Sequence, residues 1–150
     1  YKTADSFKQG SRTLPQRYYI EDLLLEEEVK NIFLNRWLCV GRSNEIKKSG
    51  EYKIVTIGNE SLFIIRNENN QLMAFYNICR HRGTRICSKK NGKYSKSIQC
   101  PYHGWTYNLS GKLIGAPNMD AVEQFNKDNY PLFPANLIEW KGFIFINLKK

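Results

Sequence analysis

Histidine is almost missing from this sequence: its 150 residues contain two, His81 and His103. Any site built from three or more imidazoles is excluded. No apolar run approaches the roughly 20 residues that a membrane-spanning helix needs, so no membrane partner is expected. Tyr1 to Gly10 are polar and lack an apolar core segment, so no secretion signal is visible. Four cysteines are too few for a disulfide-built scaffold of this length, and they fit a reducing cytoplasm. Acidic residues are outnumbered 14 to 23 by lysine and arginine, which leaves a net charge of +9. Between Cys79 and Cys100 acid is absent, while Arg80, Arg82, Arg85, Lys89, Lys90, Lys93 and Lys96 are all there. Such a balance allows nucleic-acid binding, but no nucleic-acid motif accompanies it. A basic rim that steers an acidic partner is the expectation instead.

What is present reads as one globular domain with an appended arm. A hydrophobic fraction of 41% and an aromatic fraction of 13% support a packed core. Residues 1–19 show no periodicity and are expected to form an arm. Glu21 or Asp22 can cap a helix whose first half carries Glu26, Glu27 and Glu28, suited to the helix dipole. Leu25, Val29, Ile32 and Phe33 follow at helical spacing, and the helix should end near Asn35. From Trp37 onward the pattern becomes short runs of β-branched and aromatic residues between turn formers. Strands are expected over 37–42, 52–57, 62–66, 72–78, 97–99, 105–108 and 143–148. Turns are expected at Gly58-Asn59, Asn67–Asn70, Asn91-Gly92 and Ser110-Gly111. A mainly β, antiparallel sandwich or barrel follows. Ala121 to Phe125 is expected to form a short helix, and Pro117, Pro131 and Pro134 interrupt the rest of 115–140.

Both histidines fall in two matching pieces, Cys79-Arg80-His81-Arg82-Gly83 and Cys100-Pro101-Tyr102-His103-Gly104. Each offers a thiolate, an imidazole and then a glycine. Two thiolates and two imidazoles are the donor set of a [2Fe–2S] cluster in which histidines replace the cysteines on one iron. Cys79 and Cys100 would hold one iron, His81 and His103 the other. Gly83 and Gly104 would let the backbone come close, so that amide N–H groups can bond to the sulfides. The same donors can also make a tetrahedral zinc site. Zinc fingers mostly pair like with like, whereas each piece here is mixed. Cys39, in the apolar run Trp37-Leu38-Cys39-Val40, and Cys87, after Ile86, are expected to be buried free thiols.

The chain resembles the N-terminal Rieske [2Fe–2S] domain of the alpha subunit of aromatic-ring-hydroxylating oxygenases. The resemblance rests on the two ligand segments, the second running on through Trp105-Thr106-Tyr107. Further matches are Leu14–Tyr19, Arg36–Arg42, Gly111–Pro117 and Gly142–Leu148. It covers nearly the whole chain. Residues 1–36 are expected to be an arm and helix, and 37–150 the cluster-binding domain. One departure is the spacer of 18 residues between His81 and Cys100, long for the family, with its extra length near Asn91-Gly92. Respiratory Rieske proteins carry two further, disulfide-bonded cysteines where this chain has Thr84 and Tyr102, and a serine where it has Trp105. Fewer donors to the cluster imply a potential near the low end of the Rieske range, about −150 mV. Tyr102, Trp105 and Tyr107 are expected to pack around the cluster and exclude water.

The resemblance also implies partners. A ferredoxin or reductase delivers electrons, and a mononuclear Fe(II) in a separate catalytic domain, of the same or a neighbouring subunit of a homotrimer, receives them. With both histidines committed, this chain has none left for that second iron. It is expected to be a piece of a longer oxygenase that does not turn over substrate alone. A free-standing Rieske-type ferredoxin and a zinc-bound basic module are the alternatives.

Overall fold

The computed structural model describes residues 10, 12–119 and 121–149. Most of the expected arm, residues 1–9 and 11, lies outside them. The remainder of the arm is not wholly irregular: Arg17–Ile20 forms one helical turn, α1. Glu21, extended at φ −84° and ψ 121°, separates it from α2, Asp22–Glu28, so the helix begins where its acidic cap was expected. It continues into a wide turn of π-helix over Val29–Phe33, where the Leu34 amide reaches back to the Val29 carbonyl. The expected apolar face is only partly covered. Leu25, Val29 and Phe33 border a groove against Val40 and Val55, while Leu25, Ile32 and Phe33 remain largely exposed.

Ten strands follow: β1 Leu38–Arg42, β2 Glu51–Ile57, β3 Glu60–Arg66, β4 Leu72–Tyr76, β5 Asn91–Lys93, β6 Ser97–Gln99, β7 Thr106–Asn108, β8 Leu113–Gly115, β9 Pro134–Trp140 and β10 Phe143–Asn147. Every pairing is antiparallel. A seven-stranded sheet runs in the order β1-β10-β9-β4-β3-β2-β5, and a three-stranded sheet in the order β6-β7-β8. The mainly β, antiparallel class is as expected.

Strand β3 explains the layering. Leu62, Phe63, Ile64 and Ile65 are all fully buried, as a strand covered on both faces requires. Phe63 and Ile65 face a core shared with Phe75, Ile98, Tyr107 and Leu113, which lies between the two sheets. Leu62 and Ile64 face a second core with Ala74, Ile144 and Ile146, where the large sheet curls over on itself.

Three strands, β5, β8 and β9, were not legible. Asn91-Gly92 is not a free turn but the start of β5, paired with Glu51–Lys53 at the sheet edge. Strand β9 begins with a proline and keeps most of its side chains exposed, so it lacks an apolar alternation. The expected helix over Ala121–Phe125 is absent, and that stretch forms turns instead. Cys39 also departs from expectation: it is exposed. In β1 the side chains of Leu38 and Val40 pack against the second core, and period-two alternation turns Cys39 the other way.

Candidate metal centre

The two matching sequence pieces form two matching loops. One follows β4 in the large sheet; the other joins β6 to β7 in the small one. In the first, the Cys79 amide donates to the Thr84 carbonyl and the Gly83 amide to the Cys79 carbonyl. In the second, the Cys100 amide donates to the Trp105 carbonyl and the Gly104 amide to the Cys100 carbonyl. The closing glycines have φ of +73° and +71°, a conformation that L side chains adopt only with strain. A Cβ at either would meet nothing nearer than 3.6 Å. Backbone conformation, rather than crowding, selects glycine at these two positions.

The loops bring the expected donors together as two pairs. Cys79 and Cys100 are both buried, and Cys100 is among the neighbours that raise the Cys79 pKa. The rings of His81 and His103 meet edge to face, with centroids 4.7 Å apart. Thiols pair with thiols and imidazoles with imidazoles. Among the described residues no three Cys, His, Asp or Glu side chains surround a single point as one tetrahedral ion requires. Two separate donor pairs suit two inequivalent metals.

One atom tests the fit directly. Nδ1 of His81 is buried and has no hydrogen-bond partner. A buried, unsatisfied ring nitrogen is costly unless something binds it, and a metal ion is the partner that a neutral imidazole accepts. Burial, then the His103 ring, then the Arg82 guanidinium hold His81 below the ordinary imidazole range, which keeps it neutral. Burial pushes the Cys79 thiol up, partly offset by the Tyr107 hydroxyl. Metal loading therefore has to displace a proton from that sulfur.

Surrounding residues fix the loops. The Tyr107 hydroxyl, fully buried, lies 3.4 Å from Cys79 Sγ and accepts the Arg80 amide at 3.1 Å. Trp105, buried, lies parallel to the His81 ring. Trp105 and Tyr107 are buried beside the donor residues, whereas Tyr102 is 60% exposed, tilted against His103 at the tip of the second loop. Arg80 leaves the basic rim and binds the Pro131 carbonyl at 2.7 Å. Arg82 and Arg85 remain exposed.

Asn77 was not legible as a site residue. Its buried amide donates to Ser61 Oγ and the Cys87 carbonyl, and its Oδ1 accepts the amides of Ile86 and Cys87. It closes the first loop from the inside. A lone asparagine after an apolar run carries no sequence signal of this. Cys87 is buried as expected, 3.5 Å from the Tyr94 hydroxyl. All four cysteines are free thiols, and Thr84 and Tyr102 occupy the positions of the respiratory disulfide.

Comparison with known proteins agrees with this geometry. Residues 36–126 match the family model of the Rieske [2Fe–2S] domain. The carnitine monooxygenase oxygenase subunit of Escherichia coli is 39% identical over 93% of this chain and 37% of its own length. Biphenyl 2,3-dioxygenase subunit alpha of Rhodococcus jostii is 35% identical over 96% of the chain and 31% of its own. The solved structure of a quaternary ammonium Rieske monooxygenase, described with carnitine oxidation by gut microbiota and inter-subunit electron transfer, superposes with a TM-score of 0.85. It is 39% identical and covers 91% of this chain and 37% of that one. The chain spans about a third of the length of the curated relatives it matches. With its paired thiols, paired imidazoles and matched loops, it belongs to the Rieske [2Fe–2S] domain family, in the form carried by oxygenase alpha subunits.

Proposed function

We propose that Cys79 and Cys100 hold one iron of the [2Fe–2S] cluster, that His81 and His103 hold the other, and that residues 37–150 form the cluster-binding unit behind an arm and helix over 1–36. The observation that carries this assignment is the unpartnered, buried Nδ1 of His81 beside the His103 ring. When bound, a cluster with this donor set stores and releases one electron at a higher potential than an all-cysteine cluster.

The chain is then the electron-transfer module of an oxygenase alpha subunit. It takes electrons from a ferredoxin or reductase and delivers them to a mononuclear Fe(II) in the catalytic domain of the same or a neighbouring subunit of a homotrimer. The inter-subunit electron transfer described for the quaternary ammonium monooxygenase supports the neighbouring-subunit route. A quaternary ammonium compound is the proposed substrate class of the parent enzyme, since the carnitine and glycine betaine relatives are 38–39% identical. Among the described residues no helix is long and apolar enough to cross a membrane. The free thiols fit a cytoplasmic setting.

Arg82 in the first loop, Tyr102 in the second, and Lys89 and Lys90 just before β5 are all exposed and together supply a positive, partly aromatic surface. An acidic donor would be drawn to it. Anaerobic reconstitution with iron and sulfide tests the assignment. The reduced protein should give an iron–sulfur electron paramagnetic resonance signal, and Cys100→Ser or His103→Ala should abolish the native form. A colourless protein holding one zinc ion would overturn it. Reduction by an acidic ferredoxin should slow as salt rises, and a salt-independent rate would remove the basic face from donor docking.

A further inference from the structure

Nδ1 of His81, the nitrogen proposed to face the iron, has no hydrogen-bond partner among the described residues, and the aromatic neighbours of the ring are His103 and Trp105. Metal-ligating histidines are ordinarily aligned by polar partners in the surrounding shell, and the terminal torsion of a histidine is broad, so an unheld ring can swing. A ring stacked face to face can restrict that swing. The indole of Trp105 does so, with planes 12° apart and centroids at 4.9 Å. A stack this close leaves little room for ring rotation.

Trp105 is itself wedged from behind. Phe125 packs against it at 5.7 Å and 61°, and Tyr130 at 5.6 Å and 87°. Those two rings stack on each other at 5.1 Å. Their segment is tied back to the ligand loop by Arg80, the residue immediately before His81. Its guanidinium donates to the carbonyls of Pro131 and Asn129 and lies 4.0 Å from the Phe133 ring centroid. Segment 125–133 therefore grips the first loop twice: through rings onto the His81 imidazole, and through Arg80 onto its backbone neighbour. Phe125 and Tyr130 are half-buried and pack against the core cluster that includes Trp105.

We infer that Phe125 and Tyr130 are positioning residues for His81, acting through Trp105, and that Arg80 is the strap that keeps them in place. This rests on the assignment of His81 as an iron ligand. The residues touch neither iron nor sulfide. Their role is to present the imidazole in one orientation and so give the iron it binds one electronic environment.

The test uses the reconstituted full chain and four variants, Phe125→Leu, Tyr130→Leu, Trp105→Phe and Trp105→Leu, with Arg80→Gln as a fifth that removes no core volume. Three readouts are taken: the g-values and linewidths of the reduced protein in electron paramagnetic resonance, the rate of iron release to a chelator, and the far-ultraviolet circular dichroism. Phe125→Leu, Tyr130→Leu and Arg80→Gln should keep the wild-type dichroism yet broaden or shift the resonance and release iron several-fold faster. Trp105→Phe, which retains a flat ring, should lie between wild type and Trp105→Leu. Folded variants with wild-type g-values and release rates would overturn the positioning role and leave the ligand assignment standing. A His81→Ala protein that retains the native resonance would overturn both.

Discussion

The Tyr107 hydroxyl lies 3.4 Å from Cys79 Sγ while accepting the Arg80 main-chain amide at 3.1 Å. A metal-bound Cys79 thiolate has no proton to give, so in the loaded protein the phenol is the donor of this pair. Burial pushes the Tyr107 pKa up, so the proton stays on. Such a donor favours the more negative, reduced state of whatever metal the sulfur holds.

Tyr107→Phe should therefore lower the reduction potential without preventing cluster assembly. Losing a differential hydrogen bond worth about 1 kcal/mol corresponds to about 40 mV for one electron. Redox titration followed by visible absorption checks it. An unchanged potential would mean that the proton points elsewhere. The wild-type value itself is expected near −150 mV, and one well above zero would contradict the donor-poor setting that Trp105 creates.

Asn77→Ala should be among the most destabilising substitutions near the site. It leaves two amides, a hydroxyl and a carbonyl without their partner, at roughly 2–4 kcal/mol in sum. Urea denaturation of the apo-protein measures this. A loss under about 0.5 kcal/mol, the usual range of a surface change, would show that the loop closes without the amide.

Glycine substitutions should separate conformation from crowding. Gly83→Ala and Gly104→Ala meet no close atoms and should cost about 1–2 kcal/mol each from the left-handed backbone alone. Gly50→Ala places its Cβ within 1.8 Å of the Tyr94 carbonyl oxygen and must move β5 as well. Its unfolding midpoint should fall furthest of the three.

Thiol labelling of the cluster-loaded protein should modify Cys39 first. It is the exposed cysteine, whereas burial raises the Cys87 pKa to about 11 and keeps the reactive thiolate scarce. The same shift has a sign in stability. The unfolded thiol ionises near 9, so between about pH 9 and about pH 11 the unfolded state sheds a proton that the folded state keeps. Stability conferred by the neutral thiol is intact below that window and declines through it, by about 2–3 kcal/mol in all. Cys87→Ala should flatten this part of the pH profile.

Much of the site was legible because its chemistry is local. Cys79 and His81 are two residues apart, Cys100 and His103 three, and each pair ends in a glycine needed by a tight turn. The β class was legible from β2, β3 and β4, whose alternating or continuous apolar runs face one or two cores. What stayed hidden depends on distant partners. Strand β9 carries exposed side chains and is a strand only because β4 and β10 flank it. Phe125 and Tyr130 lie in a stretch of turns and acquire their role from Trp105, twenty or more positions earlier in the chain. Cys39 sat in an apolar run, yet the facing of β1, fixed by its pairing with β10, put it outside.

The paired loops hang from different sheets, one from β4 and one from between β6 and β7, and each is closed by its own main-chain bonds. Iron held by both, as proposed, would be a rivet through two plates. Stripping it out should loosen the seam between the plates and leave each one intact, so hydrogen exchange in the apo-protein should accelerate at the loop-closing amides of Cys79, Gly83, Cys100 and Gly104 before it does so within either sheet.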